Sequence, residues 1–226
     1  MYAMAEKSES HRRRDILHVA AGLFRHRGYE RTSVRQIADA LGIKSGSLFY
    51  HFASKEEILV AVMEEGIRDV FGAVQLGVAK ERELPRRLLA MVRCHLAGLL
   101  GPNLDALMVL VYEWRSLSAP AMRRVLEWRN RYEDLWDREL SAAAAWRWVD
   151  SDTVLVRQTV LGALNWTGQW YRSDRRLQVD ELALRMFEML FPRLFVLLDE
   201  EAAVQAVVPT GAERCEVRSP EGEIAK

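Results

Sequence analysis

The stretch Thr32–Leu59, TSVRQIADALGIKSGSLFYHFASKEEIL, constrains the fold of this chain more than any other. Val34, Ile37, Ala38 and Leu41 recur at three- and four-residue spacing, which puts them on one face of a short helix. Thr32 and Ser33 offer hydroxyl caps at its start, and Gly42 ends it in a left-handed conformation that glycine adopts at little cost. A second short helix is expected from Lys44 to Tyr50, with Leu48 and Phe52 pointing inward as anchors. Ser54-Lys55-Glu56-Glu57 then reads as a capping box, the serine capping an amide and Glu57 reaching back. Two short helices held at a fixed angle by a glycine turn are what insertion of a helix into the DNA major groove requires.

The remainder also reads as helix, because apolar residues recur at three- and four-residue spacing with no sustained two-residue alternation. A first helix is expected over Ser10–Arg27, stopped by Gly28, and a fourth from Lys55 to about Ala79. Five more fall near Leu84–Leu100, Leu104–Leu117, Ala121–Ala145, Asp152–Tyr171 and Val179–Leu198, punctuated by Gly101-Pro102, Ser118-Ala119-Pro120 and Ser173-Asp174. The expectation is an all-α protein of about nine helices. A flexible N-terminus (1–9) precedes a helix-turn-helix domain (10–55), and helix four (55–79) joins it to a C-terminal domain (80–200). A polar tail (201–226) without an apolar stripe is expected to be disordered.

The charges sum to zero, but unevenly. Up to Glu57 there are ten Lys and Arg against seven Asp and Glu, and all seven tryptophans lie between Trp114 and Trp170. The basic excess therefore surrounds the candidate DNA-reading helix, and the aromatic bulk lies elsewhere. Cys94 and Cys215 form no disulfide framework or zinc spacing. Cys94-His95 is no metal pair either, since adjacent helical residues diverge by about 100°; a core or interface position is expected. With no long apolar run and no signal sequence, a cytoplasmic protein without membrane contact is expected. Ser45, Ser47 and His51 lack an acidic partner at orienting spacing, and no phosphate loop, metal set or dinucleotide fingerprint is present. No catalytic residue, cofactor or metal is therefore expected.

Residues that approach DNA closely must be short or polar. Lys44, Ser45, Gly46 and Ser47 satisfy this, Tyr50 and His51 can reach flanking phosphates, and Lys55 adds a charge at the next helix start. Thr32, Ser33 and Arg35 complete the expected DNA-binding set. A glycine-turned helical hairpin alone is common in all-α proteins. The ordered string is what separates this one: hydroxyl caps, Gly42, Gly46-Ser47-Leu48-Phe49-Tyr50-His51-Phe52, then Ser54-Lys55-Glu56-Glu57-Ile58-Leu59. Upstream, Ala20, Leu23, Phe24, Gly28, Tyr29 and Thr32 keep the same register. Over about 50 residues this pattern resembles the DNA-binding domain of TetR-family transcriptional regulators. It departs at Phe49, where the family usually carries a tyrosine whose hydroxyl often touches phosphate.

The resemblance implies a C-terminal ligand-binding and dimerisation domain. Tryptophan-rich composition fits a pocket as well as a packed core. Tyr112, Trp114, Trp128, Asn165, Trp166, Gln169 and Trp170 are the expected ligand contacts. The segment around Leu161–Arg172 resembles the family's penultimate helix, which packs with the last helix against a two-fold mate. Leu161, Met186, Met189, Leu190 and Leu194 are accordingly expected at a dimer interface, and Gly162, Ala163 and Gly168 allow close helix approach. The string Leu164-Asn165-Trp166-Thr167 with Trp170-Tyr171-Arg172 resembles regulators of lipid, steroid or aromatic catabolism released by acyl-CoA thioesters. These resemblances imply a homodimeric repressor on a near-palindromic double-stranded operator, with a hydrophobic effector. The alternative is an efflux or detoxification repressor responding to a drug or free acid. Arg175 and Arg176 could meet a CoA phosphate, though exposed helix-end arginines are commoner.

Overall fold

The computed structural model describes residues 2–172, 174 and 177–198. These residues form nine α-helices, one 3-10 turn and a further helical stretch over 192–198, with no strand among them. The helices are α1 (Tyr2–Arg27), α2 (Val34–Ala40), α3 (Ser45–His51), α4 (Lys55–Ala79) and α5 (Leu84–Leu99). They continue as α6 (Leu104–Tyr112), the 3-10 turn Trp114–Ser116, α7 (Ala119–Ala145), α8 (Thr153–Trp170) and α9 (Val179–Leu190).

Local chemistry accounts for most boundaries. Ser33 caps α2 through a full capping box: its Oγ accepts from Gln36 N at 3.2 Å, and Gln36 Oε1 accepts from Ser33 N at 2.8 Å. Gly28 and Gly42 end α1 and α2 with φ of 86° and 67°, the region where a Cβ is penalised. Ser54 caps α4 by accepting from Glu57 N at 3.0 Å. The expected return contact from Glu57 is absent, because its carboxylate is engaged by Arg124 of α7 at 2.9 Å.

Two expected boundaries move. α1 begins at Tyr2 rather than near Ser10; residues 2–9 contain no glycine or proline, so nothing local stops the helix earlier. The last helix is not continuous to Leu198. It breaks at Phe191, and residues 192–198 resume helical structure, since Pro192 has no N–H to give and fits only a first turn. The expected tail from 201, Cys215, Arg175 and Arg176 lie outside the described residues.

Burial divides into two cores. The first joins Ile16, Ala20 and Phe24 of α1 to Ile37 of α2, Leu48 of α3 and Ile58–Met63 of α4. The second surrounds Trp136 and joins the far half of α4 to α5, α7, α8 and α9. Three helices belong to both, α7 among them through Val125 in the first and Trp136 in the second. α4 contributes Leu59 to the first core and Val70 to the second; α6 contributes Val109 to the first and Met108 to the second. α6 reaches this position because the chain turns by 97° after α5, and it lies tight on α4, where a Cβ on Gly66 would sit 3.1 Å from that of Ala106.

Candidate DNA-reading face and effector cavity

α3 is anchored from below and bare above. Leu48 and Phe52 are buried in the first core, which fixes the rotation of the helix about its axis. Lys44, Gly46, Ser47, Phe49 and Tyr50 consequently face solvent, with Ser45 and His51 half-buried beside them. Tyr50 is 78% exposed and is steadied edge-on by His51, with ring centroids 5.2 Å apart. No side chain caps the α3 N-terminus, so its first amides stay available to an acceptor such as phosphate. Ser33 and Arg35 flank this surface from α2, both exposed; Arg35 is held only by a long, solvent-exposed pairing with Asp39 at 3.8 Å.

Two residues expected on this face do other work. Thr32 is buried, and its hydroxyl donates to the Gly28 carbonyl at 2.9 Å, tying the α1–α2 turn together. Lys55 folds inward: its Nζ donates to the Tyr29 carbonyl at 3.0 Å and lies 4.0 Å from the centre of the Tyr29 ring. Sequence spacing placed both beside the face, but neither could reveal that the α1–α2 turn lies within reach of each side chain.

Behind the first core lies a cavity of about 270 Å³ between α4, α5, α6, α7 and α8. Its walls are mostly apolar, including Val70, Leu107, Leu110, Val125 and Leu161. One polar cluster interrupts them. His95 Nδ1 lies 2.7 Å from the Tyr132 hydroxyl and His95 Nε2 lies 3.2 Å from Asn165 Oδ1. An amide oxygen only accepts, so Nε2 carries the proton and Tyr132 donates to Nδ1. Burial pushes the His95 pKa down to about 4, opposed by its bond to Asn165, so the ring is neutral near pH 7. Burial also pushes the Tyr132 hydroxyl upward, keeping it a donor. Arg129, Glu133 and Gln158 supply the remaining polar lining. Arg129 and Glu133 pair at 3.1 Å, and Arg157 joins Glu133 at 3.1 Å while also bonding Asp137, which ties α8 to α7.

Of the expected ligand contacts, the cavity brings together Trp114 and Asn165. The others lie elsewhere. Tyr112 is half-exposed; Trp128 packs edge-on against Phe71 at 6.4 Å, between Arg68 and Arg131; Gln169 is exposed, its amide 3.9 Å from Met108 Sδ. Trp166 and Trp170 are 61% and 49% exposed on the outer side of α8. The expected interface set is likewise redistributed. Leu161 lines the cavity, Met186 and Leu194 are buried within the second core, and Leu190 packs against it half-buried. Met189 alone of that set stands out, 72% exposed. The reason is a rotation of α8: Gly168 presses on Met108, where a Cβ would come within 2.8 Å, and this turns Leu161 and Asn165 inward and both tryptophans outward. Gly162, by contrast, faces open space.

His95 and Tyr132 were absent from the expected ligand set. Their signal is a polar residue within an otherwise apolar stripe, as in Leu88, Met91, Val92, His95, Leu96 and Leu99 on the buried side of α5. Also unforeseen is a tether between the two cores. Arg124 of α7 bonds Glu57 at 2.9 Å and Glu64 at 3.3 Å, and Glu56 accepts from Ser118 N at 2.6 Å. Across the other side, Arg25 of α1 pairs with Asp105 of α6 at 2.6 Å, and Tyr29 N donates to Glu113 at 3.2 Å.

Comparison with known proteins agrees with this geometry. Residues 16–62 match the family described as bacterial regulatory proteins, tetR family, and residues 82–194 match the tetracyclin repressor-like C-terminal domain. The chain is 31% identical over 189 residues to the HTH-type transcriptional repressor KstR2 of Rhodococcus jostii (strain RHA1), covering 82% of this chain and 92% of that protein. The structure of AibR in complex with isovaleryl coenzyme A and operator DNA superposes with a TM-score of 0.72 at 28% identity, covering 80% of this chain and 98% of that one. The structure of superantigen PfiT superposes with a TM-score of 0.65 at 43% identity, covering 78% and 94%. Matched in both its parts, this chain belongs to the TetR family of helix-turn-helix transcriptional regulators.

Proposed function

We propose that this protein is a homodimeric repressor that releases a near-palindromic operator when a small hydrophobic effector fills the cavity beneath α6. One observation carries the coupling: Leu117 and Val125 belong both to the core of the DNA-reading head and to the cavity wall. A molecule that pushes on that wall therefore pushes on the packing under α4. The Arg124 tether and the Arg25–Asp105 pair make α4 and α1 follow α7 and α6. In a dimer, a tilt of α4 changes the separation of the two α3 helices, which must sit about 34–36 Å apart to enter successive major grooves. The effector then shifts the population between two dimer geometries.

The surface that supports dimerisation is the outer face of α8 and α9. Leu155, Trp166 and Trp170 lie along one stripe of α8, and Met189 stands exposed on α9 with Val196 beyond it. Exposed apolar side chains of this size in register fit a two-fold, self-complementary contact. Trp166 and Trp170 thus serve the interface rather than the ligand.

For the effector, an acyl-CoA thioester is the favoured class. A structure similar to this chain holds isovaleryl coenzyme A and operator DNA, and the cavity accepts an apolar body of about ten non-hydrogen atoms, given that one of about 150 Å³ holds benzene. The alternative remains a hydrophobic drug or free acid acting on an efflux or detoxification gene. Titrating acyl-CoAs, free acids and hydrophobic drugs into a protein–operator gel shift separates these readings. Release by thioesters supports the first and release only by acids or drugs the second. A complex that none of them dissolves defeats the ligand-responsive reading. The operator and its repressor meet in the cytoplasm.

A further inference from the structure

Within a wall that is otherwise mostly apolar, the cavity holds the side-chain amides of Asn165 and Gln158, and Asn165 belongs to the buried His95–Tyr132 cluster. Asn165 gives its oxygen to His95 Nε2, and its Nδ2 amide has no protein partner among the described residues although Asn165 lines the cavity. The rest of the cluster is committed: Tyr132 donates to His95 Nδ1, and His95 donates to Asn165. What the cluster offers an occupant is therefore an N–H donor. Asn165 is half-buried, so its amide keeps access to water until an occupant covers it, and an acceptor on that occupant then takes the place of the water.

The charge around that donor is balanced. Arg129 is already paired with Glu133, and Glu133 is shared with Arg157, so the cavity presents no spare cation to a carboxylate. Glu133 places a negative charge in the lining itself. His95 cannot supply the missing cation, since burial keeps it neutral near pH 7. An ionised acid entering this cavity would exchange water for a neutral donor and a nearby carboxylate, which costs more than it returns.

We propose that the effector is recognised as an uncharged carbonyl compound, a ketone, lactone, ester or thioester, whose oxygen accepts from Asn165 Nδ2 while its apolar body fills the space toward Leu110 and Val125. The inference rests on the reading of the cavity as the effector site. It excludes the free acid of the same carbon skeleton, and it makes Asn165 the residue that distinguishes a carbonyl from a hydrocarbon.

Three probes of one size test it: benzylacetone, butylbenzene and hydrocinnamate, a ketone, a hydrocarbon and an acid. Binding to the DNA-free protein is measured by calorimetry at pH 7, and operator release is measured separately by gel shift. Benzylacetone is expected to bind about tenfold more tightly than either of the others, the worth of one hydrogen bond. Asn165→Leu should abolish the preference over butylbenzene. Asn165→Asp keeps an acceptor for His95 but removes the donor, so it should abolish the preference too and serves if the leucine variant fails to fold. Hydrocinnamate or butylbenzene binding as tightly as the ketone overturns the proposal, as does no binding by any probe. So does a preference that survives in a folded Asn165 variant. Tight, ketone-selective binding that leaves the operator complex intact would instead overturn the repressor-release reading and leave the carbonyl preference standing.

Discussion

The reading face and the cavity handle polar groups in opposite ways. On α3, polar side chains stand in water, held only by the two anchors Leu48 and Phe52 beneath them. In the cavity, His95 and Tyr132 are buried and half-buried Asn165 joins them in one hydrogen-bonded cluster across α5, α7 and α8. The face spends little stability on its chemistry, because solvated groups carry no desolvation cost. The cavity pays for its cluster with an exacting geometry, since a lost partner leaves a buried donor or acceptor unmatched. Substitutions on the face should therefore change binding without changing folding, whereas substitutions at the cluster should change both.

The largest expected effect tests the face. A Lys44→Ala/Tyr50→Ala double variant should lose operator affinity by about a hundredfold or more, as two phosphate-reaching groups disappear. Footprinting reads the loss, and sedimentation should show an unchanged dimer; intact affinity would reject this docking of α3. Acid then tests the cluster. The folded-state pKa of His95, about 4, lies below the unfolded value of 6.5, so the unfolded chain binds more protons between them. That contribution is complete above pH 6.5 and is lost as pH falls toward 4, amounting to about 3 kcal/mol. Urea midpoints of the wild type and His95→Gln should converge across that window, and parallel curves would refute the assignment.

A smaller effect is expected where the two regions meet. Arg124→Ala removes the bonds to Glu57 and Glu64, which lie at the surface with the arginine half-exposed and are worth little to stability, about 1 kcal/mol at most. Operator affinity without effector should hardly move, while the effector concentration needed for release in a gel shift should rise several-fold. An unchanged release curve would assign the coupling to Leu117 and Val125 alone. The smallest effect concerns Phe49, 54% exposed on the face. Phe49→Tyr restores a hydroxyl and should tighten operator binding by about twofold to fivefold, with no change in melting temperature.

How much of this was legible in the sequence follows the same division. The α2–α3 unit was readable because its determinants are neighbours along the chain: Ser33 with Gln36, Gly42 with Asp39, Leu48 with Phe52. Misreadings arose where a partner came from far away. Thr32 and Lys55 looked like surface residues until the α1–α2 turn covered them. Glu57 fitted a capping box by spacing, yet Arg124, 67 residues on, claims its carboxylate.

α8 shows the limit most clearly. Four-residue spacing pairs Leu161 with Asn165 and Trp166 with Trp170, and in the structure the first pair lines the cavity while the second faces out. It could not say which stripe turns inward, because both carry apolar and polar members. The order of residues alone was enough to specify helices throughout the described residues, the anchors and turn of the α2–α3 unit, and the side chains that α3 leaves in solvent. These depend on spacing, caps and glycine conformation, all local along the chain. That Leu161 faces a cavity and Trp166 faces out, and that His95, Tyr132 and Asn165 meet, depends on how distant segments pack. Close packing of Gly168 on Met108 sets that rotation, and such contacts between distant segments leave no period to read.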